Sequence, residues 1–220
     1  MLTVMQHDCA PTRRPSRLHA IAARGSVIDT GHVAIGQRQI RVIVETGTRR
    51  TFACALDFPG WCRSAKDSDS ALDALLHVAP RYGQLTRLAG IDLITAIGDQ
   101  PTVQVVEVLA GNATTDFGAP GQVSRWEADV TEQDIARLTR LHAACAAGFA
   151  DAAAQAPAQL RKGPRGGGRD TEAVVTHVHQ VEHTYATSAR RGTWPMAYYL
   201  RRSAYHYTDH LWEIQDRSAH

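Results

Sequence analysis

The sequence predicts an α+β fold in which a small ββαβ unit packs with a C-terminal helical bundle. Three observations predict it. β-Rich runs at Ile40–Glu45, Thr51–Asp57 and Thr102–Leu109 enclose one stretch of helical periodicity. Beyond the turn-rich Gly111–Gly121, apolar residues recur at helical spacing in successive segments. The composition, 44% apolar and 21% charged over 220 residues, is that of a globular chain able to bury a sizeable core.

The elements follow in order. Residues 1–37 mix Pro, Arg, His and Gly without sustained periodicity and read as a flexible extension or an extra strand around Ser26–Ile35. The α/β unit is placed at 38–121. Its first two strands flank the turn-like Thr46–Arg50 as a hairpin. Phe58-Pro59-Gly60-Trp61-Cys62-Arg63 breaks the second strand, and Asp67–Ser70 offers N-caps for a helix carrying Ala71, Leu72, Leu75, Leu76 and Ala79 on one face. Pro80 ends or kinks that helix. Thr102–Leu109 closes the unit, with Val103, Val105 and Val106 as core candidates.

The helical unit is placed at 122–220. Thr131 is an N-cap with Asp134 three residues on, and Ile135, Leu138, Leu141, Cys145 and Phe149 mark a long amphipathic helix to about Ala154. Pro157 and the glycine-rich Gly163–Gly168 break the chain. A second helix, N-capped by Asp170, runs to about Arg190, and a third runs from about Pro195 to Asp216.

Charge, cysteine and hydropathy narrow the function classes. A formal charge of +2 is too small to argue for wrapping nucleic acid. Cys9, Cys54, Cys62 and Cys145 form no CxxC pair, so reduced thiols are expected. No apolar run reaches the length of a membrane span, and the opening residues lack the apolar segment of a signal peptide, so cytoplasmic residence is expected. No GxSxG elbow, P-loop or dinucleotide fingerprint is present.

Histidine carries the chemistry. On the second of these helices, His177 shares a face with Val174, Val178, Val181 and Tyr185, so its imidazole is placed among core residues and needs a partner. On the third, His206 and His210 are four apart, which stacks both rings on one side for a shared cation. Three neutral imidazoles on adjacent helices suit Zn²⁺, Ni²⁺, Fe²⁺ or Mn²⁺ and leave positions open for water or substrate. Glu213, Asp209 and Glu182 are the carboxylates placed to orient ligands, with Glu213 the candidate catalytic group. His179 with His183, another i, i+4 pair, and His142 are rival ligands.

Two resemblances rest on these residues. The hairpin, LDFPGWCRSAKDSDSALDALL and the following strand resemble the HicB-type antitoxin domain, which implies a protein-binding or DNA-linked regulatory role. HVHQVEHTY with HYTDHLWEI resembles the DinB/YfiT-like metal-binding superfamily, and the order of segments from FPGWCR to DHLWEIQDR is similar to an actinobacterial group of DinB-like proteins. The DinB resemblance implies a helical bundle holding a divalent metal at His177, His206 and His210. Several branches of that superfamily are transferases or isomerases using low-molecular-weight thiols. His177 and His206 stand too close in sequence for the intervening helix of a usual four-helix bundle of this kind.

Arg161-Lys162-Gly163-Pro164-Arg165-Gly166-Gly167-Gly168-Arg169 sets cations and exposed amides before a helix N-terminus. That setting suits phosphate or carboxylate, although a solvated linker is the plainer reading. Arg165 and Arg169 are the candidate substrate-binding residues. Two function classes follow: a metal-dependent enzyme acting on a small anionic molecule, with the low-molecular-weight thiol that the DinB resemblance implies, or a regulatory module that meets a protein partner or a second copy and uses the metal as a clamp.

Overall fold

The computed structural model of the protein describes residues 39–98, 101–128, 130–163 and 168–218. The strand expected at Ser26–Ile35, and Arg165, lie outside them. The described residues form a mixed α+β structure and belong to one compact unit, Gly36–His220.

Strands β1 (Gln39–Thr46) and β2 (Thr51–Ala55) form the expected antiparallel hairpin, with Val44 opposite Ala53. A further strand, β3 (Cys62–Ala65), pairs with β2 where the sequence reading has only a break. The Phe58–Trp61 turn reverses the chain, so Cys62 comes to lie opposite Cys54 and the two are joined by a disulfide. This corrects the expectation of four reduced thiols: Cys54 and Cys62 are eight apart in sequence but register partners in the sheet.

Helices α1 (Ser68–His77) and α2 (Ala79–Leu88) replace the single predicted helix. Asp67 caps α1 through Ser70, and Pro80 falls in the first turn of α2, where its missing N–H leaves no bond unmade. After the short α3 (Leu93–Ile97), strand β4 (Thr102–Ala110) returns parallel to β1, giving the sheet order β3-β2-β1-β4. It is an edge strand among the described residues, and Val105 is half-exposed rather than core.

The chain then makes α4 (Ala113–Phe117) and a 3-10 turn, Arg125–Glu127. Three long helices follow: α5 (Glu132–Gln155), α6 (Thr171–Arg190) and α7 (Met196–Ser218). The first two start at their predicted caps, Thr131 and Asp170, and the third starts beside Pro195. Thr131 and Asp134 form a reciprocal capping box, whereas Asp170 stands at the N-cap of α6 but sends its carboxylate to Leu160 N and Lys162 Nζ.

One core runs from the sheet into the helices. Ile40, Val42 and Val44 on β1 join Trp61, Leu75 and Tyr82, then Leu141 and Phe149 on α5, Val174 and Val178 on α6, and Leu211 and Ile214 on α7. The Phe58–Trp61 turn is wedged into this core. Trp61 Nε1 donates to Leu75 O at 2.8 Å, Tyr82 Oη donates to Pro59 O at 2.8 Å, and the two rings stack. Gly60 is required at the tip of the wedge. Its φ is +91°, and a Cβ there would lie 2.7 Å from both Cys145 Sγ and Thr208 Oγ1.

Helix α7 is the central element, and its faces divide the work. Arg201 and Tyr205 anchor one face: Arg201 pairs with buried Glu127, and Tyr205 packs on Phe52 and donates to Gly118 O. Leu200, Tyr207 and Leu211 meet residues near and along α5. The third face turns to α6, and it carries His206 and His210.

Candidate metal centre

Five residues, Arg191–Pro195, join α6 to α7, so the two helices run antiparallel and residues near the start of one meet residues near the end of the other. Val174 and Val178 are fully buried and fix the rotation of α6. That rotation brings His177 to α7, where i, i+4 spacing has already stacked His206 and His210. Ligand nitrogens of the three histidines lie within 4.8 Å of one another, and His206 Nε2 is 3.5 Å from His177 Nε2. Two imidazoles on a tetrahedral ion with bonds of about 2.1 Å would place their nitrogens about 3.4 Å apart, so this pair is already at ligand spacing.

Hydrogen bonds decide which nitrogens are free. His206 Nδ1 contacts Glu182 Oε1 at 2.8 Å, and His210 Nδ1 contacts Glu213 Oε2 at 2.7 Å. An ionised carboxylate accepts and does not donate, so beside ionised Glu182 and Glu213 each Nδ1 carries the proton and each Nε2 presents its lone pair. Carboxylate-backed imidazole is the arrangement that orients metal-ligating histidines. The donor set therefore fits a divalent ion.

The electrostatics agree. Burial, followed by the nearness of His210 and Arg202, pushes the His206 imidazole down to about 3. Burial, then Arg169, lowers His177. Neither needs to shed a proton near neutrality before binding a cation. Glu213 is held below its ordinary range chiefly by its hydrogen bond with His210, and Arg217 Nη1 donates to its other oxygen at 2.6 Å. Glu182 is pushed up to about 7 by burial, against the pull of its bond from Ser203.

The rivals separate cleanly. His179 and His183 are exposed on another face of α6. His142 lies on α5, where its Nε2 is 2.7 Å from Ser203 Oγ rather than in the cluster. Of the carboxylates, Asp209 turns toward Arg63, 3.7 Å away.

The basic segment also divides. Arg161 donates to Asp216 O and Lys162 pairs with Asp170, so these two cations tie the chain to the end of α7 and the start of α6. Arg169 instead lines an open cleft of about 710 Å³ with Thr171, Thr176, His177 and Gln180. His177 thus joins the histidine cluster to an open cleft whose lining carries the Arg169 cation beside the Asp170 and Glu172 carboxylates.

Ser203 and Arg202 were not singled out by sequence reasoning. Ser203 is fully buried between Glu182 and His142, and a lone helical serine gives no sequence signal of such a place. Arg202 does have one: it stands four residues before His206, in register with the HxxxH pair. Its guanidinium lies 5.1 Å from the Tyr185 ring centroid.

None of the described helices is long and apolar enough to cross a membrane. In comparisons with protein-family models, with curated proteins and with solved structures, the chain matches none.

Proposed function

We propose that the protein binds a divalent metal ion through His177, His206 and His210 and acts, in the manner its DinB-like motif implies, as a metal-dependent transferase or isomerase on a small anionic molecule. One observation carries the reading: three clustered imidazoles, two of them with Nδ1 tied to a carboxylate and Nε2 left free. A bound ion would supply Lewis acidity and open coordination positions.

The chain's own residues supply the rest. Glu182 and Glu213 orient the histidines, and Arg169 attracts an anion into the cleft beside His177. Zn, Ni and Fe suit imidazole donors, Mn is the weakest binder of the four candidate ions, and a low-molecular-weight thiol is the co-substrate that the resemblance adds.

Metal analysis of untagged protein beside His177→Ala, His206→Ala and His210→Ala tests the site. The wild type should carry metal and each variant should lose most of it; equal content in all four sinks the site. A second reading, in which the ion clamps helices in a HicB-like regulatory module, draws on the placement of the ligands on two different helices. Calorimetric titration of the metal-loaded protein with small thiols separates the two. Metal-dependent binding supports the enzyme, and its absence supports the clamp.

A further inference from the structure

Behind the histidine cluster a hydrogen-bonded chain crosses the bundle. His206 Nδ1 meets Glu182 Oε1, Ser203 Oγ donates to Glu182 Oε2, and His142 Nε2 lies 2.7 Å from Ser203 Oγ. The four residues come from α5, α6 and α7, so the chain ties all three long helices together.

The direction of every bond follows from counting protons. An ionised carboxylate only accepts, so His206 and Ser203 must both donate to Glu182. Ser203 has one hydroxyl proton, and with that proton given to Glu182 its oxygen can only accept from His142. His142 therefore carries a proton on Nε2.

The Ser203 hydroxyl is also turned away from its usual helical partner. A buried serine or threonine in a helix commonly donates to the carbonyl four residues back, as Thr208 does to Ala204 O at 2.8 Å. Ser203 instead reaches across to α6. The rings of Tyr199 and Tyr207, each 5.7 Å from the His142 ring centroid, hold that imidazole in place.

We infer that Ser203 and His142 are positioning residues for the metal centre: they fix Glu182 so that His206 keeps its proton on Nδ1 and turns an unprotonated Nε2 toward His177 and His210. The inference rests on the metal reading above. It gives His142 a place in the site without making it a ligand. Without the Ser203 donor, Glu182 Oε2 loses a buried partner, its carboxylate is free to rotate, and the proton of His206 is no longer confined to one nitrogen.

The test uses full-length, untagged protein at about pH 8, well above the ordinary carboxylate range. The variants are Ser203→Ala, His142→Leu and His142→Gln, whose amide can keep an N–H donor near the place of Nε2. Long-range proton–nitrogen spectra of the metal-free protein read the His206 tautomer, with His206→Ala assigning its signals. Competition titration reads Zn²⁺ affinity, and circular dichroism reports folding.

The wild type should show a single Nδ1–H tautomer. Ser203→Ala and His142→Leu should mix the tautomers and weaken Zn²⁺ binding by about 10- to 100-fold, the usual effect of losing an outer partner. His142→Gln should restore both readouts. Folded Ser203→Ala and His142→Leu proteins with an unchanged tautomer overturn the inference, whatever their zinc affinity. Equal zinc binding by wild type and His206→Ala overturns the metal reading instead, and the tautomer still judges the network.

Discussion

Replacing Arg201 by Met should be among the most damaging single changes on α7. Arg201 Nε donates to Glu127 Oε1 at 2.5 Å and Nη2 donates to Oε2 at 3.1 Å, with Gln122 O accepting a further bond at 2.9 Å. The two side chains are only 4% and 1% exposed, so water cannot take the place of either. Truncating Arg201 leaves the Glu127 carboxylate buried with the Ser124 N–H as its remaining strong donor. Orphaning one member of a buried pair costs about 3–5 kcal/mol. At roughly 2–4 °C per kcal/mol for a chain of this size, the melting temperature should fall by roughly 6–20 °C.

Urea denaturation followed by tryptophan fluorescence, in a cycle with Glu127→Met and the double variant, isolates the pair. The double variant should be more stable than either single variant, because it leaves no uncompensated charge. A cost under about 1 kcal/mol for Arg201→Met, or a double variant no better than the worse single, would refute the pinning of α7 by this ion pair.

Other outcomes follow from the same packing. In metal-free protein the His206 imidazole, held to about 3 by burial, should show no titration step near 6.5 by NMR. Its folded value lies below its unfolded one, so the stability it contributes is present above about 6.5 and is lost as pH falls toward 3; a step near 6.5 contradicts its burial. Gly60→Ala should cost about 2–4 kcal/mol in chemical denaturation, from a positive φ combined with overpacking against Cys145 and Thr208. A neutral result would show that the wedge is loosely packed. Cys54→Ser with Cys62→Ser should cost about 2–3 kcal/mol, the value for closing so short a loop. Peptide mapping without reductant should recover Cys54 linked to Cys62, and finding both as free thiols would refute the pairing.

Local signals carried much of the reading. Asp67 and Thr131 mark helix starts because N-capping is a contact between near neighbours in sequence, and Asp170 marks one by its place although its carboxylate bonds elsewhere. The histidine cluster was legible for the same reason: HxxxH sets one face of α7, and Val174 and Val178 set the face of α6 that must turn inward. His179 and His183 have the same spacing but no such buried neighbours on their own face, and they stay in solvent.

The unread parts depend on long-range pairing. Nothing near Cys62 announces that it faces Cys54, since that follows from how the Phe58–Trp61 turn folds back. Val105 resembles a core residue until β4 proves to be at the edge of the sheet among the described residues. Ser203 acquires its role only from Glu182 on one side and His142 on the other.

The parallel pairing of β1 with β4 has a kinetic consequence. Gln39 meets Thr102 only after β2, β3 and α1–α3 have been laid down between them, whereas β1, β2 and β3 close through short turns. Loop closure grows costlier with length, and non-local pairing slows folding. The β1–β2–β3 meander should therefore be protected from hydrogen exchange early in refolding, with β4 acquiring protection late. The same strand, bonded on only one side among the described residues, should be the first of the sheet to open in the native state.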